Sequence, residues 1–362
     1  MQKIFNILKP GVLNGYEANK LFNFAKKNKF AIPAVNCINT DSINSTMEAA
    51  SKSNSPIIIQ FSLGGSAFIA GKGINNANYK NHQTSILGAI SGAYHVHLMA
   101  EHYNIPVILH TDHCNKKSLP WIDGLIIKGE EFFYKTGKPL FTSHMLDLSE
   151  ENIEENLKIC KKYFKNMNKI DMALEMELGC TGGEEDGIDN SKIKKTFLYT
   201  KPKDVNYAFE KLNEISENFT IAASFGNVHG VYKPGSINLK PSILKESQIY
   251  VSKKQKIKDN KPLKFVFHGG SGSNIEDIQK SIKYGVIKIN IDTDIQWATW
   301  LGVFKYYKKN KEYLNKQIGN KKNKNSPNKK YYDPRSWIRY AQKSIINRLN
   351  ISFEQTNSKN TL

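Results

Sequence analysis

The chain predicts an α/β fold, a single closed (β/α)8 barrel, and three observations carry the prediction. Eight short apolar runs rich in β-formers alternate with segments of helical spacing. Strict alternation of strand and helix produces a parallel sheet, and eight repeats close it into a barrel. Three runs end in a histidine in or beside a Gly- or Asp-containing turn: HTDHC at 110–114, GNVHG at 226–230 and FHGGSGS at 267–273. In a barrel, the C-terminal ends of strands are where active sites are built.

In chain order the runs are AIPAVN at 31–36, PIIIQFS at 56–62, PVILHTD at 106–112 and FTSHMLD at 141–147, then DMALEME at 171–177, FTIAASFG at 219–226, KFVFHG at 264–269 and VIKINID at 286–292. The first crossover puts Ile43, Met47 and Ala50 at helical spacing, and Ile153, Leu157 and Ile159 follow a SEEN start that resembles a helix cap. Connections at 63–85, 178–202 and 230–258 exceed ordinary βα loops, so they are lids or accessory helices. From about 294 onward the chain reads as a helical, partly irregular C-terminal extension, the whole of 1–362 forming one barrel domain. Within it, NKKNKNSPNKKYYDPR at 320–335 has the composition of a solvated loop.

Hydrophobic content of 40% and charged content of 23% are those of an ordinary globular protein. Lys3, Lys9 and Pro10 interrupt the N-terminal apolar residues, which argues against a signal peptide, and no stretch approaches the roughly 20 apolar residues of a membrane span. Cys37, Cys114, Cys160 and Cys180 are far apart and form no CxxC, the usage of a reduced, cytoplasmic protein. The net charge of +19 is nearly all scattered lysine, since Arg335, Arg339 and Arg348 are the only arginines. Base readout favours arginine, so specific nucleic-acid binding is not expected, whereas a positive field also draws in small phosphorylated substrates.

Asp112 and His113 are adjacent, and in a regular strand they would face opposite sides. Both serve one site only if the chain is leaving the strand there. A lone strand-end histidine is usually a hydrogen-bonded core or rim residue. With His113, His229 and His268 at the ends of the third, sixth and seventh runs, that reading and a metal site both stand. Three imidazoles with an open fourth position are how proteins hold a catalytic zinc. His95 and His97, two apart on a helix, cannot share a face and read as packing or surface residues. Asp147 and Glu177 close the fourth and fifth runs, placed to bind metal or to orient its ligands. Glu184 and Glu185 follow Gly182-Gly183, forming either a solvated acidic loop or a hinged pair that swings over substrate. HGGSGS and NIDTD, after the last two runs, sit where barrels commonly hold phosphate. Gly270-Ser271-Gly272 lacks the third glycine of a dinucleotide fingerprint.

In this order and across the whole chain, HTDHC, LGCTGGEEDG, ASFGNVHGVYKPG, FHGGSGS, NIDTD and NKKYYDPR resemble the class II, metal-dependent fructose-bisphosphate aldolases. The resemblance implies His113, His229 and His268 as ligands of a catalytic Zn2+, with Asp147 and Glu177 near a second divalent-metal position. It implies Asp112 as the acceptor of the C4 hydroxyl proton and Glu185 as the group that manages the proton of the enediolate. Gly230, Gly269, Ser271, Asp292 and Thr293 match positions holding the dihydroxyacetone phosphate end. Asn290 matches an asparagine that stabilises the intermediate, and Asn36, Ser62, Lys329 and Arg335 match contacts to the substrate or its other phosphate. The family further implies a cytoplasmic homodimer in which the arginine reaches across, and a monovalent cation, K+ or Na+, around Val228, Gly230, Gly269 and Ser271. The implied reaction is reversible cleavage of fructose 1,6-bisphosphate in glycolysis and gluconeogenesis. A tagatose-bisphosphate aldolase and, from another class, a basic non-catalytic nucleic-acid-binding barrel are the alternatives. The stretch GINNANYKNHQT at 73–84 departs from a standard lid.

Overall fold

The computed structural model describes residues 3–74, 82–185, 188–189, 198–230 and 238–362, with backbone alone at 183–185, 188–189 and 229. All eight expected strands form: β1 (Ile32–Asn36), β2 (Ile57–Phe61), β3 (Pro106–Cys114), β4 (Ser143–Leu146), β5 (Ala173–Leu178), β6 (Phe219–Ala223), β7 (Phe265–Phe267) and β8 (Val286–Asn290). They pair in parallel in the order β3-β2-β1-β8-β7-β6-β5-β4, and β3 pairs with β4 to close the barrel. Helices cover the outside while side chains fill the inside, so these strands are buried on both faces. That is why they appear in the sequence as nearly continuous apolar runs. In β2 every residue of IIIQF is buried.

The crossover helices begin where short polar side chains satisfy the free amides of the first turn. In α1 (Gly15–Asn28) Asn14 and Glu17 form a reciprocal capping box, and in α2 (Thr40–Lys52) Asn39 and Ser42 do the same. The expected face of α2, with Ile43, Met47 and Ala50, is buried. Next come α3 (Leu63–Ala70), α4 (Gln83–Ala100), α5 (Leu119–Thr136) and α6 (Ile153–Asn168). The SEEN start does cap α6: Asn152 accepts the Glu155 amide at 3.0 Å. The ring continues with α7 (Pro202–Asn213), α8 (Ser242–Lys254) and α9 (Ile275–Lys283). Among the described residues, the long connections hold α3, α8 and a small sheet. In that sheet Val228–His229 runs parallel to Gly182–Gly183, and Glu184–Glu185 pairs antiparallel with Ile188–Asp189.

Beyond β8 the chain is helical, as expected, in α10 (Thr293–Leu314), α11 (Lys329–Tyr332) and α12 (Pro334–Gln355). The last of these returns to the barrel. It packs on α2 and α9, burying Ile345, Ile346, Leu349 and Phe353, and thereby completes the outer ring. Arg339 of α12 clasps Glu48 of α2 through two hydrogen bonds of 2.6 and 2.8 Å. On its outer side α12 meets α10 at Gly302, where a β-carbon would stand 2.7 Å from Ala341 Cα. Only glycine permits that approach.

Candidate active site

The strand β3 solves the facing problem of Asp112 and His113 in a way the sequence did not suggest. Instead of ending at 112, it runs on to Cys114, its register against β4 shifts between Thr111 and Cys114, and His113 adopts φ 42°. An irregularity of this kind re-aims side chains that regular alternation would separate. Asp112 consequently accepts hydrogen bonds from Asn36 at the end of β1 (3.0 Å) and Asn290 at the end of β8 (3.2 Å). His113 turns its Nδ1 to within 3.0 Å of Asp147 Oδ2, just beyond β4, and Ser149 donates to the other oxygen of Asp147 at 2.6 Å.

His268 follows β7 directly and is wholly buried, its ring centre 4.6 Å from that of His113. Two carboxylates of β5 flank it. Nε2 is hydrogen-bonded to Glu175 Oε1 at 2.9 Å, and Nδ1 lies 2.9 Å from Glu177 Oε2. Glu175 and Glu177 are two apart on one strand and so share a face. Buried Lys288 of β8 contacts both oxygens of Glu175, at 2.9 and 2.8 Å. His110 Nε2 stands 3.6 Å from Glu175 Oε2, and the other nitrogen of that ring bonds Ser143 Oγ at 2.8 Å.

Charges this deep persist only when paired. Burial pushes the Asp112 carboxyl up, but the charges of His113, Lys288 and His268 outweigh it and hold it below its ordinary value. Burial likewise opposes ionisation of Glu175, yet the Lys288 charge and the hydrogen bond from His268 keep it well below the usual range. Burial alone would depress His268; facing Glu177 and Glu175, it is instead raised to about 9. Burial and the neighbouring Lys288 charge hold His110 neutral.

The donor set fits a divalent metal. Ligand atoms of Asp112, His113 and His268 lie within 4.8 Å of one another, as do those of His110, Asp112 and Glu175. His268 Nδ1 and Glu177 Oε2, though 2.9 Å apart, are not aligned as a hydrogen bond, so two buried ligand-type atoms converge without satisfying each other. Imidazole nitrogens with carboxylate oxygens suit zinc and its neighbours.

Other residues singled out from the sequence divide into those the structure gathers and those it does not. Asn36 and Asn290 join the cluster through Asp112. Ser62 caps α3, its Oγ accepting the Gly65 amide at 3.1 Å. Gly269 has φ 64°, and a β-carbon there would meet Val228 O at 2.5 Å; Gly230 also has positive φ. Ser271 is buried and accepts the Asp294 amide at 3.4 Å, which ties the loop after β7 to the start of α10 at Asp292 and Thr293. Lys329 is exposed at the start of α11. The Arg335 side chain is 90% exposed and folds back on Asp333. Among the described residues, neither bonds any member of the histidine cluster. His229 and the Glu184–Glu185 pair have described backbone in the small sheet, and their side chains lie outside the described residues. His95 and His97 are polar packing residues bonded to Asn44 and to the Leu140 carbonyl.

Sequence reasoning passed over His110, Glu175, Lys288 and Gln60, the last of which donates from Nε2 to Asn36 Oδ1. A signal was present. Glu175 sits two residues before Glu177 and Lys288 two before Asn290, which places full charges on the inner face of strands too apolar to carry them without a partner.

The comparisons with known proteins agree with this geometry. The family described as fructose-bisphosphate aldolase class-II matches residues 16–361. The class 2 fructose-bisphosphate aldolase of Buchnera aphidicola subsp. Schizaphis graminum is 63% identical over 360 residues, covering 99% of this chain and 100% of that protein. Its counterpart in Escherichia coli K12 is 60% identical over 362 residues, covering 100% of both. The crystal structure of the Campylobacter jejuni fructose-bisphosphate aldolase superposes with a TM-score of 0.90 at 55% identity, covering 100% of both chains. With its closed barrel, its histidine and carboxylate cluster and relatives that match it from end to end, the chain belongs to the class II fructose-bisphosphate aldolases.

Proposed function

We propose that the cluster at the C-terminal ends of β3, β5, β7 and β8 is the aldolase centre, with zinc as its divalent metal and His113, His229 and His268 as the ligands. The reaction of the family is reversible aldol cleavage of fructose 1,6-bisphosphate to dihydroxyacetone phosphate and glyceraldehyde 3-phosphate. The comparisons favour it over the tagatose and nucleic-acid alternatives. When bound, the metal supplies a Lewis acid that polarises the ketone carbonyl. Asp112 carries the reading. It is a buried carboxylate kept ionised beside two imidazoles and held in place by Asn36 and Asn290.

Asp112 takes the C4 hydroxyl proton as the C3–C4 bond breaks. The C4–O bond becomes the aldehyde carbonyl, and the bonding pair stays on C3 of the ketone fragment. Glu185, protonated at the start, then delivers its proton to C3, Asp112 releases the C4 hydroxyl proton to solvent while Glu185 regains one from it, and Asn290 hydrogen-bonds the reacting oxygens. Asp147 and Glu177 border a second metal position. Gly230, Gly269, Ser271, Asp292 and Thr293 hold the ketone-side phosphate, a role supported by the left-handed glycine turn and by the helix that starts beside it. Val228, Gly230, Gly269 and Ser271 surround a monovalent cation, K+ or Na+. Asn36, Ser62, Lys329 and Arg335 contact the substrate or its other phosphate, Arg335 taking the phosphate of the aldehyde half.

The assembly proposed is a homodimer of one-domain chains. It is supported by Trp297, Trp300 and Tyr307, 62%, 55% and 42% exposed along α10, and by an exposed Arg335 that, among the described residues, bonds only its neighbour Asp333. Four free, buried cysteines support a cytoplasmic location in which the chain serves glycolysis and gluconeogenesis, and no described helix is long and apolar enough to cross a membrane. Cleavage of fructose 1,6-bisphosphate by the purified protein, assayed before and after exhaustive chelation, tests the reading. Activity should vanish and return with zinc, and full activity without metal would overturn it.

A further inference from the structure

We propose that Glu175, anchored by Lys288, is the positioning residue that sets the ring orientation and tautomer of His268, so that Nδ1 and not Nε2 is the nitrogen offered to the metal. This role rests on the metal-centre reading above. A ring that is wholly buried cannot use water to satisfy either nitrogen, so the surrounding protein decides which one keeps a proton. Only Nε2 has an aligned partner, Glu175 Oε1 at 2.9 Å; Nδ1 faces the converging side, toward Glu177 and the His113 ring. A carboxylate that accepts at Nε2 keeps a proton there, so the proton that a metal displaces is the one on Nδ1.

Glu175 is held rigidly in place for this task. Lys288 grips both its oxygens, and the Thr220 hydroxyl reaches Oε2 at 3.5 Å. Its rotamer is therefore locked, and its charge is cancelled without drawing on the charge of Asp112 or Glu177. Because Glu175 and Lys288 lie two residues before Glu177 and Asn290 on their strands, they form a layer one step deeper in the barrel, below the atoms that would meet substrate. On the other ligand Asp147 plays the corresponding part at Nδ1 of His113. The two rings are thus oriented through opposite nitrogens.

The first test needs no mutation. In the zinc-loaded enzyme, side-chain 15N spectra should show a protonated Nε2 and a metal-shifted Nδ1 for His268. Finding the proton on Nδ1 would overturn the assignment. The second test compares two double variants by zinc competition against a chromophoric chelator. Glu175→Leu with Lys288→Met removes acceptor and counter-charge together, and the zinc dissociation constant should rise about 10- to 100-fold. Glu175→Gln with Lys288→Met keeps an acceptor of the same shape and should recover most of that loss. Unchanged affinity in the first pair, or equal losses in both, overturns the proposal. If the first pair does not fold, the wild-type ring nitrogens still decide. Wild-type protein that fails to retain zinc, or a His268→Ala variant that retains it fully, would count against the metal centre itself and not against the role of Glu175.

Discussion

The strand ends around His268 and the C-terminal arm around Arg335 both contain residues that the family resemblance marks as functional, and a single chain treats them in opposite ways. At the strand ends Asp112, Glu175, Glu177, His268 and Lys288 are almost completely buried, with Glu175 bonded to His268 and Lys288 and Asp112 held by Asn36 and Asn290. On the arm Lys329 is exposed, and Arg335 holds only its neighbour Asp333. Bond cleavage and metal binding depend on small displacements, so they are built on rigid strands with locked rotamers. Gripping a distant phosphate needs charge and a planar fork more than a fixed starting position. An exposed arginine resting on the carboxylate of its near neighbour is released at little cost.

Removing a ligand should produce the largest effect. His268→Ala and His113→Ala should each lose bound zinc, measured by mass spectrometry, and activity together, the latter by about 1000-fold or more, because Lewis-acid stabilisation contributes several kcal/mol. Normal activity in either variant would break the strand-end half of the comparison.

Next in size, Asp112→Ala should retain zinc and lose cleavage by roughly 100- to 10000-fold, the range for a general base. Proton exchange on dihydroxyacetone phosphate should fall much less, and equal losses in both assays would remove Asp112 from the carbon–carbon step. Glu185→Gln should reverse the pattern, with exchange suffering most. If Glu184→Gln abolishes exchange and Glu185→Gln does not, the two glutamates exchange roles.

The arm is probed by Arg335→Ala. Zinc content should be unchanged, while KM rises on the order of tenfold to a hundredfold, as expected for loss of charge-assisted hydrogen bonds. Discrimination against the substrate analogue without the 6-phosphate should weaken in parallel. Loss of zinc in this variant would mean that the two regions are not separable.

The smallest effect concerns how the arm is attached. Arg339, first through its hydrogen bonds to Glu48, outweighs burial and holds that carboxyl at about 2. A folded value below the unfolded one of roughly 4.3 contributes stability that is present at neutral pH and lost as pH falls toward 2. With partial exposure and solvent screening the clasp contributes roughly 1 kcal/mol. Glu48→Gln should therefore lower Tm by a few degrees at pH 7, and the difference should shrink steadily below pH 5. A gap that widened on acidification would have the wrong sign.

All eight strands, the buried face of α2 and the cap of α6 were legible in the sequence because each is a local pattern of apolar period and capping residues. His113 and His268 were legible because histidines beside glycine and aspartate at strand ends are conspicuous. The return of α12 to the barrel was not, since its apolar face looks the same whether it packs on α2 or extends outward. Nor was the continuation of β3 to Cys114, because a shift of register depends on the partner strand.

Taken alone, the sequence determined the barrel, the order of its strands along the chain and the residue types near their ends, all of which follow from interactions within a few residues along the chain. The tertiary structure alone decided that Glu175 holds His268, 93 residues away, and Lys288, 113 residues away. No local period encodes such partners. They meet because closing the sheet brings the inner faces of β5, β7 and β8 together across the barrel, where a buried charge is stable only beside its opposite.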